Sequence, residues 1–179
     1  MKRSEINPLP QYFDRYILQY DENTTILEAI QMSIDELDTL PLDQWHALGS
    51  QVYAPNKWTV KDILQHIIDV ERIFAYRAMS FARGETQRLP SFDEDAYALQ
   101  TTANNRPFED LIAELKIVHE STKVLFQSFS KEMLLKTGIG FKGEYSVAAI
   151  GFTLPGHQLW HFRIIEERYM PLLKRGEIG

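Results

Sequence analysis

Apolar residues recur along this chain at the spacing of a helix, not with the alternation of a strand. Ile26, Leu27, Ile30, Ile34 and Leu37 predict a first long helix from residue 24 or 25 to residue 40. Pro41 closes it, because proline disfavours helical backbone at the residue before it. A second stripe, through Val60, Ile63, Leu64, Ile67, Val70, Ile73 and Phe74, continues to Phe81 and is stopped by Gly84. Thr59 is placed to cap that helix, with Asp62 three residues on as the acid of a capping box. A third helix begins near Pro107, where a missing N–H costs nothing, and runs through Leu111, Leu115, Val118, Thr122 and Leu125 to about Phe129. The fourth pattern spans residues 146–173, with Ser146 as cap and Val147, Ile150, Leu154, Trp160, Ile164, Ile165 and Leu172 as apolar positions.

Between these lie shorter pieces. Residues 10–19 carry Tyr12, Phe13, Tyr16 and Ile17 and make a few helical turns, GETQRLPSFDEDAYALQ is irregular, and TGIGFKGEYS is a loop or short hairpin. Four long helices with connections of mixed length predict an all-α bundle, in one domain over residues 1–179. Pro155 sits well inside the fourth pattern, where it removes one backbone hydrogen bond and crowds the carbonyl of Gly151. A helix restarting at Leu154 and one long helix kinked there are both open. The kink is favoured because Gly151 has no side chain to crowd the bend and the apolar spacing resumes on both sides.

Composition narrows the function. The chain of 179 residues is 44% hydrophobic and carries a net charge of -6. An acidic surface without a basic cluster disfavours nucleic-acid binding. The apolar runs are too short and interrupted to span a bilayer, and the N-terminus lacks the apolar core of a secretory signal. Cysteine is absent, which removes disulfides, thiolate ligands and a cysteine nucleophile and fits a cytoplasmic setting.

The candidate chemistry lies in LPGHQLWHFRIIEERY. His157 and His161 are one helical turn apart, so both imidazoles point to one side, the spacing for two nitrogens on one metal ion. His66 lies in the second helix among Ile63, Ile67 and Val70, and a third imidazole from a facing helix would leave the metal an open position. The competing reading, hydrogen-bonded core histidines, stands beside this one. Asp62 and Asp69 flank His66 by about a turn and are candidates to orient it. Asp93, Glu94 and Asp95 are either a solvated polar loop, or acids that lie at the mouth of the bundle or orient a ligand histidine. His46, following Trp45 in a loop, and His119, in mid-helix, read as ordinary surface or partly buried residues. Gln158 occupies the position of the general base in H-E-x-x-H metalloproteases and cannot take a proton, which argues against that chemistry. No G-x-S-x-G elbow, P-loop or G-x-G-x-x-G is present.

Taken together, KWTVKDILQHIIDVERIFAYRAMSFARGE, LPSFDEDAY and YSVAAIGFTLPGHQLWHFRIIEERY resemble the DinB-like superfamily of damage-inducible helical-bundle proteins. The nearest branch is the one that includes metal-dependent hydrolases and bacillithiol S-transferases. The resemblance covers about residues 12–173. It implies an up-down-down-up four-helix bundle, often a homodimer, with a divalent ion, zinc or nickel, held by His66, His157 and His161. Gln158 and Trp160 depart from the pattern of many relatives, which carry an acid and a further histidine there, and Pro155 is unusual in that helix. The expected activity is that of a metal-dependent hydrolase or a small-molecule thiol S-transferase. The alternative is a non-catalytic metal- or ligand-binding stress-response protein.

Overall fold

The computed structural model describes residues 1–176, so the last three residues of the expected domain lie outside it. The four long patterns form helices. After a short α1 (Asp14–Ile17) come α2 (Ile26–Glu36), a small α3 (Leu42–Leu48) and α4 (Val60–Ala82). They are followed by α5 (Glu94–Ala98), α6 (Phe108–Gln127), α7 (Lys131–Leu135) and α8 (Val147–Ile164). The long helices pack in the cyclic order α2, α6, α4, α8, each against two neighbours, and make the four-helix bundle that the pattern predicts.

The predicted caps form. Thr59 accepts from the Asp62 N–H, and Ser146 accepts from the Ala149 N–H, each relieving one of the unpaired donors at a helix start. Pro107 sits at the entrance of α6. The segment TGIGFKGEYS is a hairpin of strands β1 (Thr137–Gly140) and β2 (Gly143–Ser146), in register from Thr137 opposite Ser146 to Gly140 opposite Gly143. Two expectations are corrected. His46 lies in helix α3, not in a loop, because Leu42, Trp45 and Leu48 give that segment its own apolar face. The stretch after Gly84 is not wholly irregular, since Asp93 caps the short helix α5 through the Ala96 N–H.

Helix α8 explains the fourth pattern. Every residue from 147 to 158 is buried, so this helix is apolar nearly all round, as a central helix must be. It runs through Pro155 without a break, which decides against a restart at Leu154. Two glycines permit the approach of its neighbours. A Cβ on Gly151 would lie 2.7 Å from Ile26 Cγ2, and one on Gly156 would lie 2.3 Å from the Tyr16 carbonyl oxygen. The Gly156 carbonyl in turn accepts from Gln19 Nε2 at 2.7 Å, tying α8 to the end of α1. Beyond Ile164 the helix loosens into a π-helical turn, Ile165–Tyr169, before α9 (Met170–Gly176). The wider turn lets Ile165 and Tyr169 both point inward, and such turns recur at functional sites.

Buried apolar side chains fall into two clusters. One gathers Ile17, Ala29, Phe81 and Phe152 around the hairpin end. The other gathers Trp45, Leu64, Leu111 and Tyr169 at the opposite end. Where the clusters meet, each long helix contributes polar residues: Ser33 and Glu36 from α2, His66 and Glu71 from α4, His119 and Thr122 from α6, and His157, Gln158 and His161 from α8. This polar layer crosses the middle of the bundle.

Candidate metal centre

Three histidines of the layer converge. His66 Nε2 lies 3.1 Å from His157 Nε2, which lies 3.0 Å from His161 Nε2. One ligand nitrogen from each falls within 4.8 Å of the others. The i,i+4 spacing on α8 aligns His157 with His161, and packing of α4 on α8 brings in His66. Among the described residues no carboxylate joins this group. Burial accordingly pushes His66 down to about 3 and His161 to about 4, and His157 well below its ordinary value, because an imidazolium here would lose its hydration and meet other imidazoles. The cluster is therefore neutral at pH 7, the state in which imidazole nitrogen carries a free lone pair.

The donor set fits a cation. A neutral imidazole donates from only one nitrogen, so three Nε2 atoms facing one another cannot all be satisfied by hydrogen bonds among themselves. Nitrogens about 2.0–2.1 Å from a tetrahedral ion stand roughly 3.3 Å apart, close to the separations found.

Around the histidines the side chains are held firmly. The Trp58 ring lies against His66 with centroids 4.7 Å apart, and the Trp58 carbonyl accepts from the Tyr169 hydroxyl of the π-helical turn. Tyr16 of α1 meets His157 edge-on at 5.3 Å and Trp160 at 5.9 Å. The candidate orienting acids turn elsewhere. Asp62 accepts from Thr59 and, at 2.9 Å, from Asn104 Nδ2, while Asp69 accepts from Gln65 Nε2 at 2.9 Å. Neither carboxylate hydrogen-bonds His66 in the described structure. The three histidines open onto a cavity of about 460 Å³ that Trp58, Tyr16, Trp160 and Arg15 also line. Asp93, Glu94 and Asp95 border it as exposed residues, which places them at its mouth.

His119 is not the ordinary residue that its sequence suggests. It is 1% exposed, and its Nδ1 lies 2.6 Å from Oε2 of the equally buried Glu71. Its Nε2 lies 2.6 Å from Gln158 Oε1, while Gln158 Nε2 donates to the Ser33 carbonyl and to Glu36, both at 2.9 Å. Those acceptors fix the orientation of the Gln158 amide, so His119 Nε2 must be a donor. Burial alone would lower the His119 pKa, but the Glu71 carboxylate prevails and the net direction is upward. Sequence reasoning missed Glu71 altogether. Its signal was an acid inside an apolar stripe, one turn from Ile67, Ile68 and Phe74.

Residues 22–165 match the sequence profile of the DinB superfamily. The chain belongs to the DinB superfamily. A protein of Oceanobacillus iheyensis, named as a candidate metal-dependent hydrolase, is 26% identical over 118 residues, 65% of this chain and 68% of that one. The solved structure of YfiT from Bacillus subtilis, described as a probable metal-dependent hydrolase with an unusual four-helix bundle topology, shares the fold. It aligns with a TM-score of 0.61 at 16% identity, covering 88% of this chain and 87% of YfiT. Within this DinB fold the polar layer, not the apolar ends, carries the candidate chemistry.

Proposed function

We propose that this DinB-superfamily chain is a metal-dependent enzyme acting on a small molecule, with His66, His157 and His161 holding a divalent ion, zinc or nickel. The observation that carries this reading is the convergence of three neutral imidazoles, His66 and His157 buried and His161 half-buried, on the wall of an aromatic-lined cavity. The metal-dependent hydrolase names of its relatives support it. When bound, a divalent ion supplies Lewis acidity, which lowers the pKa of a water or a thiol into the neutral range.

The chain's own residues do the rest. The three imidazoles stay unprotonated and available as ligands. Trp58 and Tyr16 keep two of the rings in place and limit water at the histidines. Gln158, whose amide is committed to His119, Ser33 and Glu36, takes no part in proton transfer. With no cysteine in the chain, any thiol would enter as a cosubstrate: a bound water would be the nucleophile of a hydrolysis and the cosubstrate thiolate that of a transfer, each activated by the same ion.

Metal analysis of purified protein beside His161→Ala tests the assignment. The wild type should carry stoichiometric divalent metal and the variant should carry little. Equal metal in both, or none in the wild type, overturns the three-histidine site. Stoichiometric metal without turnover of ester, amide or thiol-plus-electrophile substrates would favour the non-catalytic binder.

A further inference from the structure

We propose that Arg15 is the substrate-recognition residue of this cavity and that it selects a small molecule bearing a single carboxylate, held beside the three histidines. The inference rests on the reading of the histidine cavity as the substrate site and adds the class of substrate it takes.

Arg15 projects from α1 into the cavity wall. Its Cζ lies 3.9 Å from the Tyr12 ring centroid, 5.1 Å from that of Tyr16 and 5.6 Å from that of Trp160. Its Nε is buried without a hydrogen-bond partner. It enters no ion pair among the described residues. Stacking on aromatic rings stabilises the face of a guanidinium by about 0.5–2 kcal/mol. It leaves the in-plane edge of the guanidinium, with its unpartnered Nε, open to an acceptor, and that edge matches a carboxylate in bidentate fashion.

The position is specific to the histidine site. Tyr16 and Trp160, the rings that carry Arg15, meet each other, and Tyr16 also meets His157. The second cation of the lining, Arg77, is already engaged. Its Nη2 donates to the Pro90 carbonyl at 2.9 Å, and it stacks on Phe74. Arg15 is thus the cation of this cavity with donors to spare.

Charge decides the class of anion. The lining sets two arginines against Asp93, Glu94 and Asp95, so its own formal charge is negative. One guanidinium neutralises one carboxylate, whereas a phosphate dianion would bring an excess negative charge into a site already bordered by three acids. The aromatic lining favours an apolar body on the carboxylate.

Benzoate and its neutral isostere benzamide probe the proposal. Each is titrated calorimetrically into the full chain as purified and again after chelation, because Arg15 recognition does not depend on the metal. The wild type should bind benzoate at least about tenfold tighter than benzamide in both states, the scale of a charge-assisted bond. Arg15→Gln should lose that preference while keeping wild-type metal content. No benzoate binding, equal affinity for the two probes, or an unchanged preference in Arg15→Gln overturns the proposal. If Arg15→Gln does not fold by circular dichroism, Arg15→Lys replaces it. That variant keeps the charge but not the fork, and unchanged benzoate affinity would count against the proposal. If the wild type as purified carries no metal and still prefers benzoate, Arg15 recognition stands and the metal reading fails, so the two can be told apart.

Discussion

Two buried histidine sites share one polar layer and resolve the same problem in opposite ways. His66, His157 and His161 face one another without an acid, and burial keeps all three neutral. His119, on the other side of Gln158, faces Glu71, and its pKa moves upward despite almost complete burial. Residue type and desolvation are the same in both. The facing group decides whether a buried imidazole offers a lone pair or carries a charge. The first arrangement suits a ligand set that can act on a substrate. The second ties α4, α6, α8 and α2 together through Glu71, His119, Gln158 and Glu36, beside the turn that presents His157.

The largest expected effect comes from breaking the charged site. Glu71→Gln leaves His119 either charged without a counter-ion or neutral with a lost partner. Removing one member of a buried pair costs about 3–5 kcal/mol. The expected outcome is a fall in thermal midpoint on the order of 10 °C, read by calorimetry, with stoichiometric metal in the fraction that remains folded. Replacing both members, as Glu71→Leu with His119→Phe, should cost less than the single change, because no polar group is stranded. A small effect of Glu71→Gln would dissolve the contrast between the two sites.

That contrast was only half legible in the sequence. The i,i+4 pair on α8 and the histidine on the inner stripe of α4 point to the neutral site, because helical periodicity sets His157 and His161 on one face; that α4 packs against α8 is seen only in the fold. His119 offered no such pair. Its partners come from α4 and α8, far away in the chain, and only the packing order of the helices joins them. Pro155 is the converse case: the sequence marked it as a disturbance, and the helix continues through it because neighbours bury α8 on every side. Arg15 was invisible, since its setting depends on Tyr12, Tyr16 and Trp160 meeting around a cavity.

A second test uses pH. In metal-free protein, each neutral histidine binds its proton more weakly when folded than when unfolded. Below the ordinary value of 6.5 the unfolded chain takes up protons that the folded chain refuses, so stability falls as pH falls. For His161 this continues to about 4 and for His66 to about 3. Within that window each histidine contributes about 1.4 kcal/mol per pH unit. His161→Ala removes one of them, so its stability should decline less steeply by that amount, measured as denaturant midpoints of chelated protein across the window. His119 acts with the opposite sign. Its contribution is fully present below 6.5 and is lost as pH rises through its raised folded value. An acid slope identical in wild type and His161→Ala would show that His161 is not held neutral.

The smallest effect sharpens the boundary of the neutral site. Asp62 lies one turn before His66, close enough in sequence to orient it, yet its oxygens accept from Thr59 and Asn104 at the entrance of α4. A cap and a ligand-orienting acid fail differently. Loss of the cap contacts in Asp62→Ala should cost about 1 kcal/mol of stability and leave metal affinity unchanged. Loss of an acid that orients a ligand histidine would lower metal affinity by about 10–100-fold, even where the fold is little affected. Competition with a chelator, run beside a thermal melt of the same variant, separates the two. Unchanged affinity with a modest loss of stability places Asp62 among the residues that start α4. A large drop in affinity would mean that the polar layer reaches a turn further toward the N-terminus of α4 than its hydrogen bonds indicate.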